Sequence, residues 1–300
     1  MNKLADFSSI PKGEFSFEKI ILTIVLLASA FIGFGQLPLL FALLAKSDGG
    51  LSEVSQESIV YFLGENQALL WMLFPFVLAL LAMFIGIKYI HKAKILRFFT
   101  SRESFDWKRF FFSAGIVAFL MTGLLVYSLF TSDELLWNFT PDSFFFLLLI
   151  SIFIIPLQTT CEELIFRSYI FKLLPFQSLP WLRVLICGIL FGLLHWGNPE
   201  LDELGKIAIV YYVWSGFFLG AIAHLDDGLE LSMGYHAMNN VFAALIVTNS
   251  WQVFQTDALF IDMSQPNMAM ELGVSMFLIQ PIIFVFLYKK YGWKWRKAVI

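Results

Sequence analysis

The sequence predicts an all-α, polytopic membrane protein with about eight transmembrane helices. Two observations support this prediction. Of the 300 residues, 59% are hydrophobic, only 14% are charged and 35 are phenylalanine, so a soluble domain of this length has no means of hiding its apolar surface. The apolar residues also gather into runs, and most of these runs approach or exceed the roughly 20 residues that a helix needs to cross a bilayer.

The predicted spans follow these apolar runs in chain order. The first runs from Ile20 to about Ala45, after a polar N-terminal stretch. The others lie near residues 67–87, 110–130, 143–173, 181–196, 206–223, 232–249 and 272–288. The fifth is shorter than a bilayer requires. Within the fourth, Pro156 lacks a backbone N–H, so we expect a kink about one and a half turns before Glu162.

The basic residues predict which helix ends face the cytoplasm. Most of the 20 lysines and arginines lie on alternate flanks of the predicted spans, beginning with the N-terminal flank. By the positive-inside rule both termini are expected in the cytoplasm, and we expect the membrane to be a bacterial inner or plasma membrane. The densest cluster, residues 88–109, is interpreted as a cytoplasmic loop beside anionic headgroups, with no nucleic-acid partner. The acidic stretches near Asp133, 200–203 and 257–262 are expected to be solvated loops on the opposite side.

Two further patterns concern packing. Cys161 and Cys187 both lie in apolar segments, so we expect buried thiols and no disulfide framework. The fifth and sixth helices carry glycine pairs at small-xxx-small spacing, Gly188 with Gly192 and Gly216 with Gly220. We therefore expect these two helices to pack closely.

The most unusual stretch runs from Thr160 to Arg167, because it places three charged residues inside the fourth apolar helix. Each costs about 2.5 to 3.5 kcal/mol at the centre of a lipid-facing helix, so these residues must face protein or a water-filled cavity. Glu163 and Arg167 stand four positions apart on one helical face and can neutralise each other. Glu162 points about 100° away and is left over. The stretch is therefore either a structural ion pair or part of a site in which Glu162 acts as a general base.

The four histidines of the chain fall into two groups. His91 and His224 lie at helix flanks and are expected to be interfacial. His195 ends the apolar run of the fifth helix, and His236 lies in the seventh, where Asn240 follows one turn later on the same face. Two histidines, a glutamate pair and an asparagine on different apolar helices share a need for a polar cavity. The sequence thus predicts a functional site inside the helical bundle.

Three motifs carry this site, in the order Glu162-Glu163-x-x-x-Arg167, Phe191-x-x-x-His195 and His236-x-x-x-Asn240. Together they resemble the CPBP family of intramembrane proteases, which includes the type II CAAX prenyl endopeptidases and bacterial Abi-type proteins. The resemblance covers roughly residues 143–248. It implies a catalytic core at 131–255, preceded by N-terminal membrane helices at 1–130 and followed by a final helix and basic cytoplasmic tail at 256–300, all in one integrated membrane domain.

The resemblance also implies roles for the motif residues. It assigns water activation to Glu162 and His195, oxyanion stabilisation to His236 and Asn240, and the shaping of the site to Glu163, Arg167 and Phe191. The implied partners are a peptide or protein substrate at the membrane, of a CAAX-type prenylated or bacteriocin-like kind, and the lipid bilayer. The oligomeric state is left open.

The residue types suit this chemistry independently of the resemblance. Peptide hydrolysis needs a base for water, donors aimed at the developing oxyanion, and a dry site in which both are strong. Glu162, His195 and His236 also form a possible zinc set with one open coordination position. The sequence contains no HExxH motif, and its spacing neither supports nor excludes a metal. The resemblance favours a metal-free glutamate mechanism, with no cofactor expected.

Two functions of other classes can use the same buried polar cluster. A proton-coupled transporter would use these groups as a relay, and it predicts an inverted repeat that the sequence does not display. A non-catalytic membrane scaffold or immunity factor would keep the fold without the chemistry.

One expectation conflicts with a shared site. Counting along the spans places Glu162 in the cytoplasmic half of the fourth helix, whereas His195 falls near the outer end of the fifth. For these groups to meet, either the fifth helix begins deeper, after a re-entrant stretch around Pro175 to Pro180, or the fourth helix ends sooner.

Overall fold

The computed structural model describes residues 7–47 and 54–293, and helices dominate them. In chain order the long helical segments are α1 (Phe17–Lys46), α2 (Glu65–Ile90), α3 (Trp107–Thr131), α4 (Pro141–Leu173), α5 (Pro180–Leu193), α6 (Lys206–Asp226), α7 (Glu230–Leu245) and α8 (residues 269–291). Shorter helices in the connections are Gln56–Leu63, Leu96–Phe99 and Glu200–Glu203. Each predicted apolar run forms a helix, and the all-α class is confirmed.

Five of these helices, α1, α2, α3, α4 and α6, are long and apolar enough to span a membrane. Helix α5 is apolar but has only 14 residues, and α7 has 16 residues, several of them polar. The predicted count of eight spans is therefore not confirmed within the described ranges. The predicted boundaries still fall close to the observed helix ends, because an apolar segment in lipid must satisfy its own backbone hydrogen bonds.

A small sheet that the sequence analysis did not predict lies at one end of the bundle. Its strands are β1 (Leu135–Trp137), β2 (Val247–Thr248) and β3 (Phe260–Asp262). β3 is central and pairs antiparallel with β1 and parallel with β2. Strands of two or three residues are too short to show an alternating pattern in the sequence. We call this the sheet end of the bundle.

A buried ion-pair cluster fastens the loop before α3 to the start of α7. Arg102 contacts the carboxylates of Asp226 and Glu230 at 2.9 and 3.0 Å. Arg109 also contacts Asp226, and the indole N–H of Trp293 donates to the same carboxylate at 3.0 Å. The expectation that the basic loop lies beside anionic headgroups is therefore wrong for Arg102, whose side chain is 7% exposed. Its charge is neutralised by protein groups instead of lipid headgroups.

The two histidines expected at the membrane interface are buried instead. His91 is fully buried, and its Nε2 lies 2.8 Å from the hydroxyl oxygen of Tyr169. His224 is also buried and packs against the rings of Phe171 and Trp181. Both residues lie at helix ends, as the sequence indicates, but the neighbouring segments fold over them.

Helices α5 and α6 pack closely through glycines, as their spacing predicts. A Cβ atom on Gly192 would lie 2.7 Å from the backbone nitrogen of Val213, and one on Gly188 would lie 2.7 Å from that of Phe217. Gly216 on α6 meets the backbone of α5 in the same way. Larger side chains would push the helices apart, so these glycines determine how closely α5 packs on α6. Both cysteines are buried and unbridged, as predicted.

Candidate active site

The first motif lies where α4 changes its helical form. The α-helix Pro141–Phe153 is interrupted at Ile154, two residues before Pro156, which agrees with the predicted kink. The chain resumes as an α-helix from Ile155 to Glu162 and then continues as a π-helix, Glu163–Ile170. The sequence analysis did not predict the π-helix, a form that often occurs at functional sites. Glu162 and Glu163 thus lie on either side of the change.

The predicted ion pair within the first motif is present and buried. Arg167 Nη1 lies 3.2 Å from Glu163 Oε1, and both side chains are fully buried. The ring of Phe191 on α5 lies against the guanidinium, with 4.0 Å between the guanidinium carbon and the ring centroid. A cation on the face of an aromatic ring is electrostatically favourable when both are desolvated. Phe191 therefore joins α5 to the ion pair on α4.

His236 on α7 lies between the two glutamates. Its Nδ1 is 2.9 Å from Glu163 Oε1, and its Nε2 is 3.5 Å from Glu162 Oε2. Because Glu163 is paired with a permanently charged arginine, it is an acceptor, and His236 Nδ1 must be the donor. Nε2 is then turned towards Glu162. Glu162, which has no arginine partner, therefore faces Nε2 of His236.

His195 is held by the end of α5. Its Nδ1 lies 2.9 Å from the backbone carbonyl oxygen of Phe191. A carbonyl only accepts, so Nδ1 carries the hydrogen and Nε2 has the lone pair in the neutral ring. The imidazole also packs against the Phe191 ring, 4.6 Å between centroids, and stacks on Tyr212 of α6 at 4.3 Å. This arrangement leaves Nε2 as the nitrogen able to act on a substrate.

The conflict in depth between Glu162 and His195 falls to about 6 Å when both are measured from the hairpin between α4 and α5. Counted back from Leu173, Glu162 lies about 16 Å along α4, and counted forward from Pro180, His195 lies about 22 Å away, in the turn after α5. The conflict arose because α4 has 33 residues and was measured from its far end. Neither an early end of α4 nor a deeper start of α5 is needed.

Asn240 lies one turn after His236 on α7. Its Nδ2 donates to Gln158 Oε1 at 3.3 Å, which uses one of the two hydrogens of the amide and leaves the other for a ligand. Gln158 stands one turn before Glu162 on α4 and is 5% exposed. The sequence analysis missed it, although a glutamine one turn before Glu162 in an apolar helix is itself a signal of a polar cavity.

These side chains share one large cavity of about 1240 Å³. Its polar lining includes Gln158, Glu162, His195, His236, Asn239 and Asn240, and most of the remaining wall is apolar. Glu163 and Arg167 are not among the described residues that line it. The ion pair therefore lies behind the cavity wall, whereas Glu162 is part of that wall.

The possible zinc set does not form a compact group of ligands. Among the residues that the structure describes, no three His, Cys, Asp or Glu side chains are arranged to hold a metal ion. Glu162 and His236 are in contact, and His195 keeps Nε2 free, but these side chains do not converge on one point as metal ligands do. We therefore derive no catalytic step through a metal.

Comparison with known proteins shows that the part of the chain that holds this site is similar to a known family. Residues 141–242, which include all three motifs, match the model described as type II CAAX prenyl endopeptidase Rce1-like. The family predicted from the three motifs is confirmed. The chain is a multi-pass membrane protein, and the family suggests a peptidase.

A curated relative is similar over a larger part of the chain. The "Uncharacterized protein YyaK" of Bacillus subtilis (strain 168) is 27% identical over 184 residues, which are 60% of this chain and 61% of the relative. The aligned part thus spans less than two thirds of that protein. No solved structure gives a significant match.

The buried pair predicts different behaviour for the two neighbouring glutamates. Glu163→Ala should lower the free energy of unfolding by about 3 to 5 kcal/mol, because Arg167 is then buried without a counter-charge. Thermal unfolding of the purified protein in detergent measures this loss. Glu162→Ala is the matched control, and it should lose much less because Glu162 is not the partner of Arg167. A Glu163→Ala protein that melts like the wild type yet is inactive would show that the two roles are reversed.

Proposed function

We propose that the protein is an intramembrane endopeptidase that hydrolyses a peptide bond of a membrane-associated protein or peptide. The observation that carries this proposal is the meeting of Glu162, His195, His236 and Asn240 on one cavity with a largely apolar wall. These groups come from two helices, α4 and α7, and from the turn after α5, and together they provide acceptors for water and donors for an oxyanion.

Water activation is assigned to Glu162 and His195. The carboxylate of Glu162 and the Nε2 atom of neutral His195 are both acceptors, and both residues line the cavity. A water molecule between them loses a proton to Glu162 as its oxygen attacks the substrate carbonyl carbon. The protonated Glu162 then delivers that proton to the leaving amine as the peptide bond breaks. The largely apolar wall of the cavity strengthens each of these electrostatic interactions.

Oxyanion stabilisation is assigned to His236 and Asn240. The free amide hydrogen of Asn240 is one donor. His236 already uses Nδ1–H towards Glu163, so donation from Nε2 as well needs a doubly protonated ring. Its positive charge would then lie between the carboxylates of Glu162 and Glu163, and it would oppose the negative charge that develops on the substrate oxygen.

The family description suggests a CAAX-type substrate. We propose a substrate that is prenylated or bacteriocin-like and reaches the cavity from the membrane. We also propose that the catalytic core is residues 131–255, that the membrane is a bacterial inner or plasma membrane, and that both termini are cytoplasmic. A proton-coupled transporter or a non-catalytic scaffold would keep the same polar cluster but would hydrolyse no peptide.

The first test of this function is Glu162→Gln. This change removes the base but keeps the volume of the side chain, so hydrolysis should fall to background while the melting temperature stays close to that of the wild type. Purified wild-type and variant proteins are assayed side by side against a peptide library in detergent. Turnover by Glu162→Gln close to that of the wild type would remove Glu162 from the mechanism, and an inactive wild type would favour the transporter or the scaffold.

A second test separates the oxyanion assignment from a zinc site. Asn240→Ala should lower kcat about 10²- to 10³-fold, because one preorganised donor is lost, and KM should change little. Wild-type activity should survive exhaustive dialysis against a chelator, with the metal content measured in parallel. Stoichiometric zinc that is lost together with activity, and restores it when added back, would overturn the metal-free assignment in favour of Glu162, His195 and His236 as ligands.

A further inference from the structure

His195 is a catalytic residue in the proposed function, yet it lies beyond the last residue of α5, Leu193. Its backbone N–H still bonds to Gly192, but no further helical turn holds its side chain. The imidazole is instead nearly parallel to the ring of Tyr212, at 18° and 4.3 Å between centroids. The sequence alone indicates no role for Tyr212.

Tyr212 is itself fixed at both ends. Its backbone neighbour Val213 packs directly against Gly192 of α5. The close packing of α5 on α6 therefore fixes the position of the Tyr212 ring relative to α5. Its hydroxyl donates to Glu200 Oε1 at 3.1 Å and accepts from Asn198 Nδ2 at 3.2 Å. A ring held by its backbone and by two hydrogen bonds is a rigid surface for a neighbouring imidazole.

Glu200 is the outer anchor of this arrangement. The expectation that it lies in a solvated loop is wrong, because it is 8% exposed. Its Oε1 also accepts the backbone N–H of Val253 at 3.2 Å, which ties the loop after β2 to the turn between α5 and α6. Burial raises the pKa of the Glu200 carboxyl, and the Val253 and Tyr212 hydrogen bonds oppose that rise. Glu200 thus connects the sheet end of the bundle to the phenol that supports His195.

We propose that Tyr212, anchored by Glu200, is a positioning residue that holds His195 with Nε2 available to the cavity. This inference rests on the proposed function only for its effect on catalysis. The hydrogen bond from Nδ1 to Phe191 fixes one edge of the imidazole, and the Phe191 ring contacts it at a tilt of 49°, but a ring held by one bond and one tilted contact still has freedom to rotate about that bond. The flat contact with Tyr212 removes that freedom. Tyr212 acts through His195, since its hydroxyl is already engaged by Glu200 and Asn198.

The test uses Tyr212→Leu, which removes the stacked ring, and Tyr212→Phe, which keeps the ring but removes its anchor. Tyr127→Leu is the matched control, because Tyr127 is an exposed tyrosine on α3. Tyr212→Leu should lower kcat about 10- to 100-fold with little change in KM, since small misplacements of a catalytic group have effects of this size. Tyr212→Phe and Glu200→Gln should lower kcat by a smaller factor, and Tyr127→Leu should leave kcat unchanged.

A second readout does not depend on hydrolysis. Diethyl pyrocarbonate modifies unprotonated imidazole, and mass spectrometry of peptides gives the rate at His195 alone. The rate should rise several-fold in Tyr212→Leu and less in Glu200→Gln, in samples whose melting shows that they are folded. An unchanged rate in folded Tyr212→Leu and Glu200→Gln proteins would overturn the positioning role. A raised rate in proteins that hydrolyse no peptide would uphold that role and count against the proposed function instead.

Discussion

The site depends on the buried ion pair between Glu163 and Arg167. Neither charge can be left alone inside an apolar bundle, because removing one partner of a buried pair costs several kcal/mol. The pair also organises its neighbours, since Phe191 of α5 covers the guanidinium and His236 of α7 donates to the carboxylate. Two consecutive helices, α4 and α5, and the more distant α7 therefore meet at one point for electrostatic reasons, and the groups that face the cavity take their positions from that meeting.

This arrangement separates two tasks between adjacent residues. Glu163 is fully buried and neutralised by Arg167, so it serves the structure, whereas Glu162 lines the cavity without an arginine partner. The helix permits the division because neighbouring residues point about 100° apart. The wall around Glu162 is mainly apolar, and in such surroundings a few fixed donors and acceptors are much stronger than in water. A hydrolytic site needs both features, a carboxylate free to act on water and a largely apolar wall around it.

The sequence predicted the features that depend on residues close together in the chain. The helices follow from apolar runs, the Glu163–Arg167 pair from spacing, and the packing of α5 on α6 from glycines. The features it missed depend on partners distant in the chain. Arg102 was expected beside anionic headgroups because Glu230, its partner, lies 128 residues away. The support of His195 by Tyr212 was missed for a related reason, since a tyrosine in an apolar helix looks like any packing residue until its neighbours are known.

The central claim is that Glu163 holds His236 through Nδ1, so that Nε2 faces Glu162 and the cavity. Nitrogen-15 NMR of histidine-labelled protein in lipid nanodiscs tests it most directly, because the chain has only four histidines and His236→Gln identifies the relevant signals. The account predicts a proton on Nδ1 of His236 in the wild type, and a changed Nδ1 signal when Glu163 is replaced by alanine. A wild-type His236 with its only proton on Nε2 would contradict the account.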